Sequence, residues 1–204
     1  MRIQDKLISL RNKRGFTLVE LMIVVAIIGV LSALAIYGVR KYLTNAKSAE
    51  GRMGLGRISK DASVAYERES LDTLQVDLGK TAAIAHALCK SSTPVPDVIA
   101  KVSNKKYQSD PADWSAPVAG EGWECLKFTM NDPQYFMYQY EGVTVNTPAK
   151  EGDNFIAHAF SDLNGKNAGG PAGELSLPGR VQKSATGELV LTLASTIDES
   201  KAEN

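Results

Sequence analysis

LMIVVAIIGVLSALAIYGV, residues 21–39, is the stretch on which the architecture of this chain turns. Nineteen consecutive residues carry no charge. Wound as an α-helix at about 1.5 Å per residue they span about 28 Å, close to the thickness of a bilayer's hydrocarbon core. A helix satisfies its backbone hydrogen bonds internally, so such a run needs no water around it. It is longer than the roughly 7–15 apolar residues of an ordinary secretory signal, and no small-residue cleavage site follows it. A membrane helix is therefore expected rather than a buried core helix. Upstream, residues 1–15 hold five basic side chains against the single acid Asp5, whereas residues 16–204 hold 18 basic and 22 acidic ones. That basic flank predicts a cytoplasmic N-terminus, with everything after Arg40 outside. Arg40, Lys41 and Lys47, on the far side, pull against this orientation.

Working outward, Glu20 stands at the edge of the apolar run. A carboxylate at membrane depth costs a few kcal/mol unless it has a partner, which marks it as functional, whereas at the headgroup boundary water would solvate it. The rest of the composition excludes several classes. In 204 residues Lys+Arg and Asp+Glu balance at 23 each, so no basic footprint for nucleic acid is present. Two cysteines and two histidines are too few for a disulfide-dense scaffold or most zinc sites. No phosphate-binding loop, nucleophile elbow or acid–base pair stands out, so neither catalysis nor a cofactor is expected.

The string KRGFTLVE at residues 13–20, followed by LMIVVAIIG at 21–29, closely resembles the start of type IV prepilins. The resemblance runs from Lys13 to about Ala35. It implies the pilin fold, a long N-terminal hydrophobic α-helix packed on an antiparallel β-sheet head, class α+β. It implies a leader of residues 1–15, a long helix over 16–69 and a head over 70–204. Within the helix, 16–39 would be the transmembrane and assembly segment and 40–69 would pack on the head. A prepilin peptidase would cut between Gly15 and Phe16, Phe16 would be N-methylated, and Glu20 would pair with the Phe16 amine of a neighbouring subunit. The implied partners are further copies of the chain, the peptidase, the pilus assembly platform and, before assembly, the bacterial inner membrane, crossed once. The implied product is a surface filament for adhesion or twitching motility. A type II secretion pseudopilin shares these features, and a membrane-tethered periplasmic sensor or binding domain shares the helix alone. Many related sequences have a helix-kinking proline where this chain has Tyr37, so a kink at Tyr37–Gly38 does not carry over.

The residues themselves add packing expectations. Gly29 and Ala33 form a small-xxx-small pair suited to close helix contact. Tyr42, Ala46, Ala49 and Met53 make one apolar stripe; Leu55, Ile58, Ala62, Ala65 and Tyr66 make a second, roughly opposite. One is expected to pack on the head and the other to face neighbouring helices. Farther on, the pattern predicts a short helix over 79–90, an irregular surface loop over 91–121, and strands over 125–130, 135–140, 154–160 and 188–193. Asn131-Asp132-Pro133-Gln134 is expected to turn between the first two strands, and the last eight residues to fray. Cys89 and Cys125 read as one disulfide in an oxidising compartment. In Asp162-Leu163-Asn164-Gly165, Asp162 and Asn164 offer oxygens to Ca²⁺, but a tight Asn-Gly turn accounts for the same residues. His158 with Ser161 and Asp162 lacks the spacing of a triad, and Trp114, Trp123 and the 135–140 aromatics read as packing.

Overall fold

The computed structural model describes residues 15–68, 70–71, 84–143, 148–166 and 170–201. Chain contacts separate a unit ending at Leu43 from a second unit, Thr44–Asn204. The first element, α1 (Leu18–Glu67), is a single α-helix of 50 residues, about 75 Å long, and is unbroken at Tyr37–Gly38. No residue of its apolar stretch is buried. In the second unit its inner face is sealed: Gly51, Gly54, Leu55, Ile58, Ala62, Ala65 and Tyr66 are all buried. Of the two apolar stripes, the one from Leu55 to Tyr66 is thus the one that packs on the head. Burying each large side chain there contributes roughly 1.5–3 kcal/mol.

The sheet that receives it is antiparallel: β3 (Met137–Glu141), β4 (Asn154–Ser161), β5 (Gly173–Lys183) and β6 (Leu189–Leu193) lie in that order, and β7 (Asp198–Lys201) pairs with the other end of β5. Alternation dictates the faces. Phe155, Ala157 and Ala159 of β4 and Leu175, Leu177 and Val181 of β5 point into the core, while Ile156, His158 and Phe160 lie on the outer face. The α+β arrangement expected from the sequence is the one found.

Contact between helix and sheet is closest at β3. A methyl on Gly51 would meet the Phe136 ring at 2.7 Å, and one on Gly54 would meet the Tyr138 ring at 2.5 Å. Glu50 fastens the same spot: its carboxylate accepts from the Tyr135 N–H at 2.6 Å, and its carbonyl accepts from the Tyr138 hydroxyl at 3.3 Å.

Several local expectations are corrected. In the stretch 79–90, Ile84–Ala85 is a strand, β2, paired with β1 (Ser70–Leu71), and residues 86–89 are not helical; residues 79–83 lie outside the described residues. The Ile84/Leu88 spacing is overridden because its backbone finds partners elsewhere: the His86 carbonyl accepts from the Ala149 N–H, and Lys90 bridges to Val143. The expected strand over 125–130 is instead the end of a short helix, α2 (Gly122–Leu126), closed by Lys127 at φ 57°. Helical spacing there lets Trp123 pack against Trp114 and Phe128, with centroids at 5.1 and 5.4 Å. Residues 131–134 therefore join α2 to β3 rather than two strands, and Gln134, buried, bonds the carbonyls of Val95 and Phe136. The segment 91–121 is irregular apart from two 3₁₀ turns, yet it is no mere surface loop, since Val95, Ile99, Val102 and Trp114 belong to the core. The expected strands over 135–140, 154–160 and 188–193 coincide with β3, β4 and β6 within two residues. The sequence pattern does not predict β5, and residues 198–201 of the tail form β7 instead of fraying, while residues 202–204 lie outside the described residues.

Cys89 and Cys125 form a disulfide that ties an extended segment to α2. In the chain-entropy model, closing this loop contributes about 4 kcal/mol. Replacing both cysteines by serine should lower the head's thermal midpoint by roughly 10 °C, measured by circular dichroism with and without reductant.

Two core phenols set the alkaline limit. Burial pushes the ionisation of Tyr138 and Tyr140 well above the ordinary tyrosine range. Below about pH 10 both are neutral whether folded or not, and stability is intact; above it the unfolded chain releases protons that the fold retains, so stability falls as pH rises. The Tyr140 hydroxyl also has no hydrogen-bond partner among the described residues. Tyr140→Phe should therefore leave the neutral-pH midpoint unchanged or raise it by a few degrees, and make its decline above about pH 10 shallower.

Candidate assembly site

The first turn of α1 is organised around one carboxylate. Thr17 precedes the helix, and Glu20 follows three residues later. Glu20 Oε2 accepts from the Thr17 N–H at 2.9 Å and from its hydroxyl at 2.8 Å, while the Glu20 N–H donates to Thr17 Oγ1 at 3.2 Å. This is a reciprocal capping box, which satisfies N–H groups that a helix start otherwise leaves bare. The T-x-x-E spacing was present in the string as Thr17-Leu18-Val19-Glu20 and is a signal that the reading of Glu20 as an isolated charge missed. Only Oε2 is used by these bonds. Beside it, Phe16 is 85% exposed.

From Leu18 to Tyr42 every residue is exposed, including Leu21, Ile23, Ile27, Leu31 and Leu34. A contiguous apolar surface of this size is not left to water by a soluble monomer. Among the described residues nothing lies within 4 Å of where a Cβ on Gly29 or Gly38 would sit, and Ala33 is exposed. Farther along, Ala46, Ala49 and Met53 also remain exposed, on the face opposite the buried stripe. The helix is long and apolar enough to cross a membrane.

In the second unit cations add polar contacts between α1 and the head around the buried apolar face. Arg52 pairs with Glu199 at 2.9 Å, and Arg57 donates to the Thr129 carbonyl at 3.1 Å while lying over the Phe128 ring. Lys47 and Lys106 both approach the Tyr135 ring, at 4.8 and 4.7 Å.

The remaining sequence candidates sit elsewhere. Asp162 is buried, and its Oδ2 accepts from Ser103 at 2.6 Å. Asn164 Oδ1 accepts from the Lys166 N–H at 2.9 Å, and Gly165 takes φ 66°. These are the bonds of a tight turn, and among the described residues no three His, Cys, Asp or Glu side chains come together to hold a metal. His158 lies on the opposite sheet face from Ser161, so the two do not meet. Trp114 and Trp123 are buried packing residues.

Comparison with known proteins places this geometry. A family model described as "Prokaryotic N-terminal methylation motif" matches residues 10–36. In this segment the chain resembles the N-termini of type IV fimbrial and pilin proteins. The pilin-type segment is 56% identical over 39 residues to a type IV major fimbrial protein FimA of Dichelobacter nodosus, covering 19% of this chain and 24% of that one. It is 55% identical over 44 residues to the type IV major pilin protein PilA of Myxococcus xanthus, covering 22% and 20%. Fimbrial protein Q of Moraxella bovis is 39% identical over 54 residues, covering 26% and 34%. The chain thus matches about a quarter of the length of the first of these relatives. No solved structure matches it.

Helix α1 should respond to substitution differently along its length. Gly29→Leu should leave the head's thermal midpoint unchanged. Gly54→Ala, which drives a methyl into Tyr138, should lower it by several degrees, as overpacking by a methyl costs roughly 1–3 kcal/mol. Parallel melts of the full chain in detergent check both.

Proposed function

We propose that the chain is a structural subunit of a type IV pilus, processed after Gly15, N-methylated at Phe16 and polymerised through residues 16–39 of α1. The observation that carries this reading is the methylation motif at residues 10–36 on a helix whose apolar stretch has no buried residue among the described residues. Before assembly the bilayer would cover that surface, with the leader in the cytoplasm and the head outside. In the filament the helices of other subunits would replace the lipid. Gly29 and Ala33 would let their backbones approach closely, and the exposed stripe Tyr42, Ala46, Ala49 and Met53 would extend the same contact toward the heads. An assembly platform and a prepilin peptidase are the partners this route requires. The head would then be displayed at the cell surface for adhesion or motility.

Glu20 has two roles in this reading. Its Oε2 caps its own helix, and its Oε1 is available to the methylated amine of Phe16 on a neighbour. Cleavage creates that amine, so only a processed subunit offers the cation. In a low-dielectric bundle such a pair attracts far more strongly than in water, and an unpaired carboxylate would be penalised there.

The two roles separate experimentally. Glu20→Gln keeps an oxygen for the Thr17 cap but removes the charge, whereas Thr17→Ala weakens the cap and keeps it. Processing should survive in both. Filament yield in sheared surface fractions should fall at least tenfold for Glu20→Gln and only modestly for Thr17→Ala, a gap of about 1.4 kcal/mol or more. Normal polymerisation of Glu20→Gln would overturn the pairing. Mass spectrometry of the N-terminal peptide tests the wider reading. Methylated Phe16 abundant in sheared material supports a pilus subunit, the same peptide confined to membranes points to a pseudopilus, and an intact leader in both fractions leaves a tethered domain.

A further inference from the structure

Three cations that follow the apolar stretch, Arg40, Lys41 and Lys47, run against the charge asymmetry that places the head outside the membrane. The geometry around Lys47 gives them a use. Its ammonium lies over the Tyr135 ring, 4.8 Å from the centroid, and the ammonium of Lys106, from the head's irregular segment, lies over the same ring at 4.7 Å. The Lys106 side chain is 44% exposed, and Lys105 beside it in the chain is exposed as well. The carboxylate next to the pair is Glu50. One of its oxygens takes the Tyr135 N–H at 2.6 Å, and the other stands 3.8 Å from Lys106, beyond hydrogen-bond length. Two ammoniums thus share one phenol ring and one carboxylate that is already bonded elsewhere, which leaves a surplus of positive charge.

Chain connectivity limits what that charge can meet. Eight helical residues, about 12 Å of rise, lead from Val39 at the end of the apolar stretch to Lys47. This bound holds however the two units of the chain lean. A bilayer's headgroup layer is about 5–8 Å deep on each side. The field of its charged lipids reaches a further Debye length of about 8 Å. With residues 21–39 in the hydrocarbon core, Lys47 and the Lys106 beside it stand within reach of headgroup phosphates. The residue types suit that depth. Lysine stems carry their charge toward the interface, and tyrosine is enriched there because its ring is apolar at one end and wet at the other.

We propose that Lys47 and Lys106, gathered on Tyr135, form a clamp for anionic phospholipid headgroups of the outer leaflet and dock the head on the membrane before the subunit polymerises. The proposal rests on the membrane-spanning reading of residues 21–39. A headgroup phosphate supplies the negative charge that Glu50 alone does not, and it is left behind when the helix leaves the bilayer.

The test reconstitutes the full chain into nanodiscs of phosphatidylcholine, with or without phosphatidylglycerol. The labelling rate of each lysine by a water-soluble acetylating reagent is then read by peptide mass spectrometry. Attraction to an anionic surface amounts to a factor of about five per lysine, so Lys47 and Lys106 should label about fivefold more slowly, or slower still, when phosphatidylglycerol is present. Lys183 is the internal control. It pairs with Leu189, whose carbonyl accepts from the Tyr66 hydroxyl, nineteen helical residues or about 28 Å beyond Lys47, and it should label alike in both lipids. Salt at about 1 M, where the Debye length is about 3 Å, should abolish the difference. In Lys47→Gln the protection of Lys106 should largely disappear, since two charges hold the headgroup together; should that variant fail to fold, the wild-type comparison and its salt dependence decide. Equal labelling of Lys106 in both lipids, protection that survives Lys47→Gln, or the same protection from inorganic phosphate in phosphatidylcholine discs would overturn the proposal. A chain that co-elutes with the discs without differential labelling sinks the clamp alone, whereas one that does not co-elute sinks the membrane reading and the clamp together.

Discussion

Tyr138 stands so near α1 that only a glycine fits opposite its ring, and the head is organised around that approach. Gly51 admits Phe136 and Gly54 admits Tyr138, so β3 lies against the helix backbone itself. Glycines weaken a helix by roughly 1 kcal/mol each, which the packing of two aromatic rings more than offsets. The approach also fixes register. Glu50, one residue before Gly51, takes the Tyr135 N–H and the Tyr138 hydroxyl, so the helix is aligned with β3 by hydrogen bonds as well as by shape. Once β3 is fixed, β4 follows by antiparallel pairing, and β5 carries both β6 and β7.

The same helix faces two environments. Its backbone hydrogen bonds are internal throughout, so what each part tolerates depends on side chains alone. Beyond Thr44 the chain supplies its own cover, and Leu55, Ile58 and Tyr66 are sealed. Before that point no side chain of the apolar stretch is buried, and the capping box of Thr17 and Glu20 closes the helix start. Small residues divide accordingly. Gly51 and Gly54 answer to aromatic rings in this subunit, whereas Gly29 has open space around it.

The misread elements share a cause. β5 alternates Leu175, Leu177, Gly179 and Val181 inward, a period-two signal interrupted by Pro178 and Gly179, residues that ordinarily argue against a strand. At Gly179 the missing side chain leaves room for the Phe155 ring across the sheet, so the glycine is a packing feature. The close-set apolar residues around Cys125 point to a strand, but the three-aromatic cluster of Trp114, Trp123 and Phe128 selects a helical turn. The segment over 91–121 has the polar, proline-bearing composition of a loop and still enters the core, because Val95 pairs with Tyr138 and Trp114 packs beneath α2.

The sequence by itself determined the long apolar helix and the KRGFTLVE string that marks its start, because each is a pattern within one continuous segment. Tertiary structure alone decided which stripe of α1 is buried, where the helix yields to Phe136 and Tyr138, that the C-terminal tail completes β5, and that Lys47 and Lys106 meet on Tyr135. These depend on residues far apart in the chain, up to 147 positions for Arg52 and Glu199, and no pattern along a single segment encodes which distant surface it will meet.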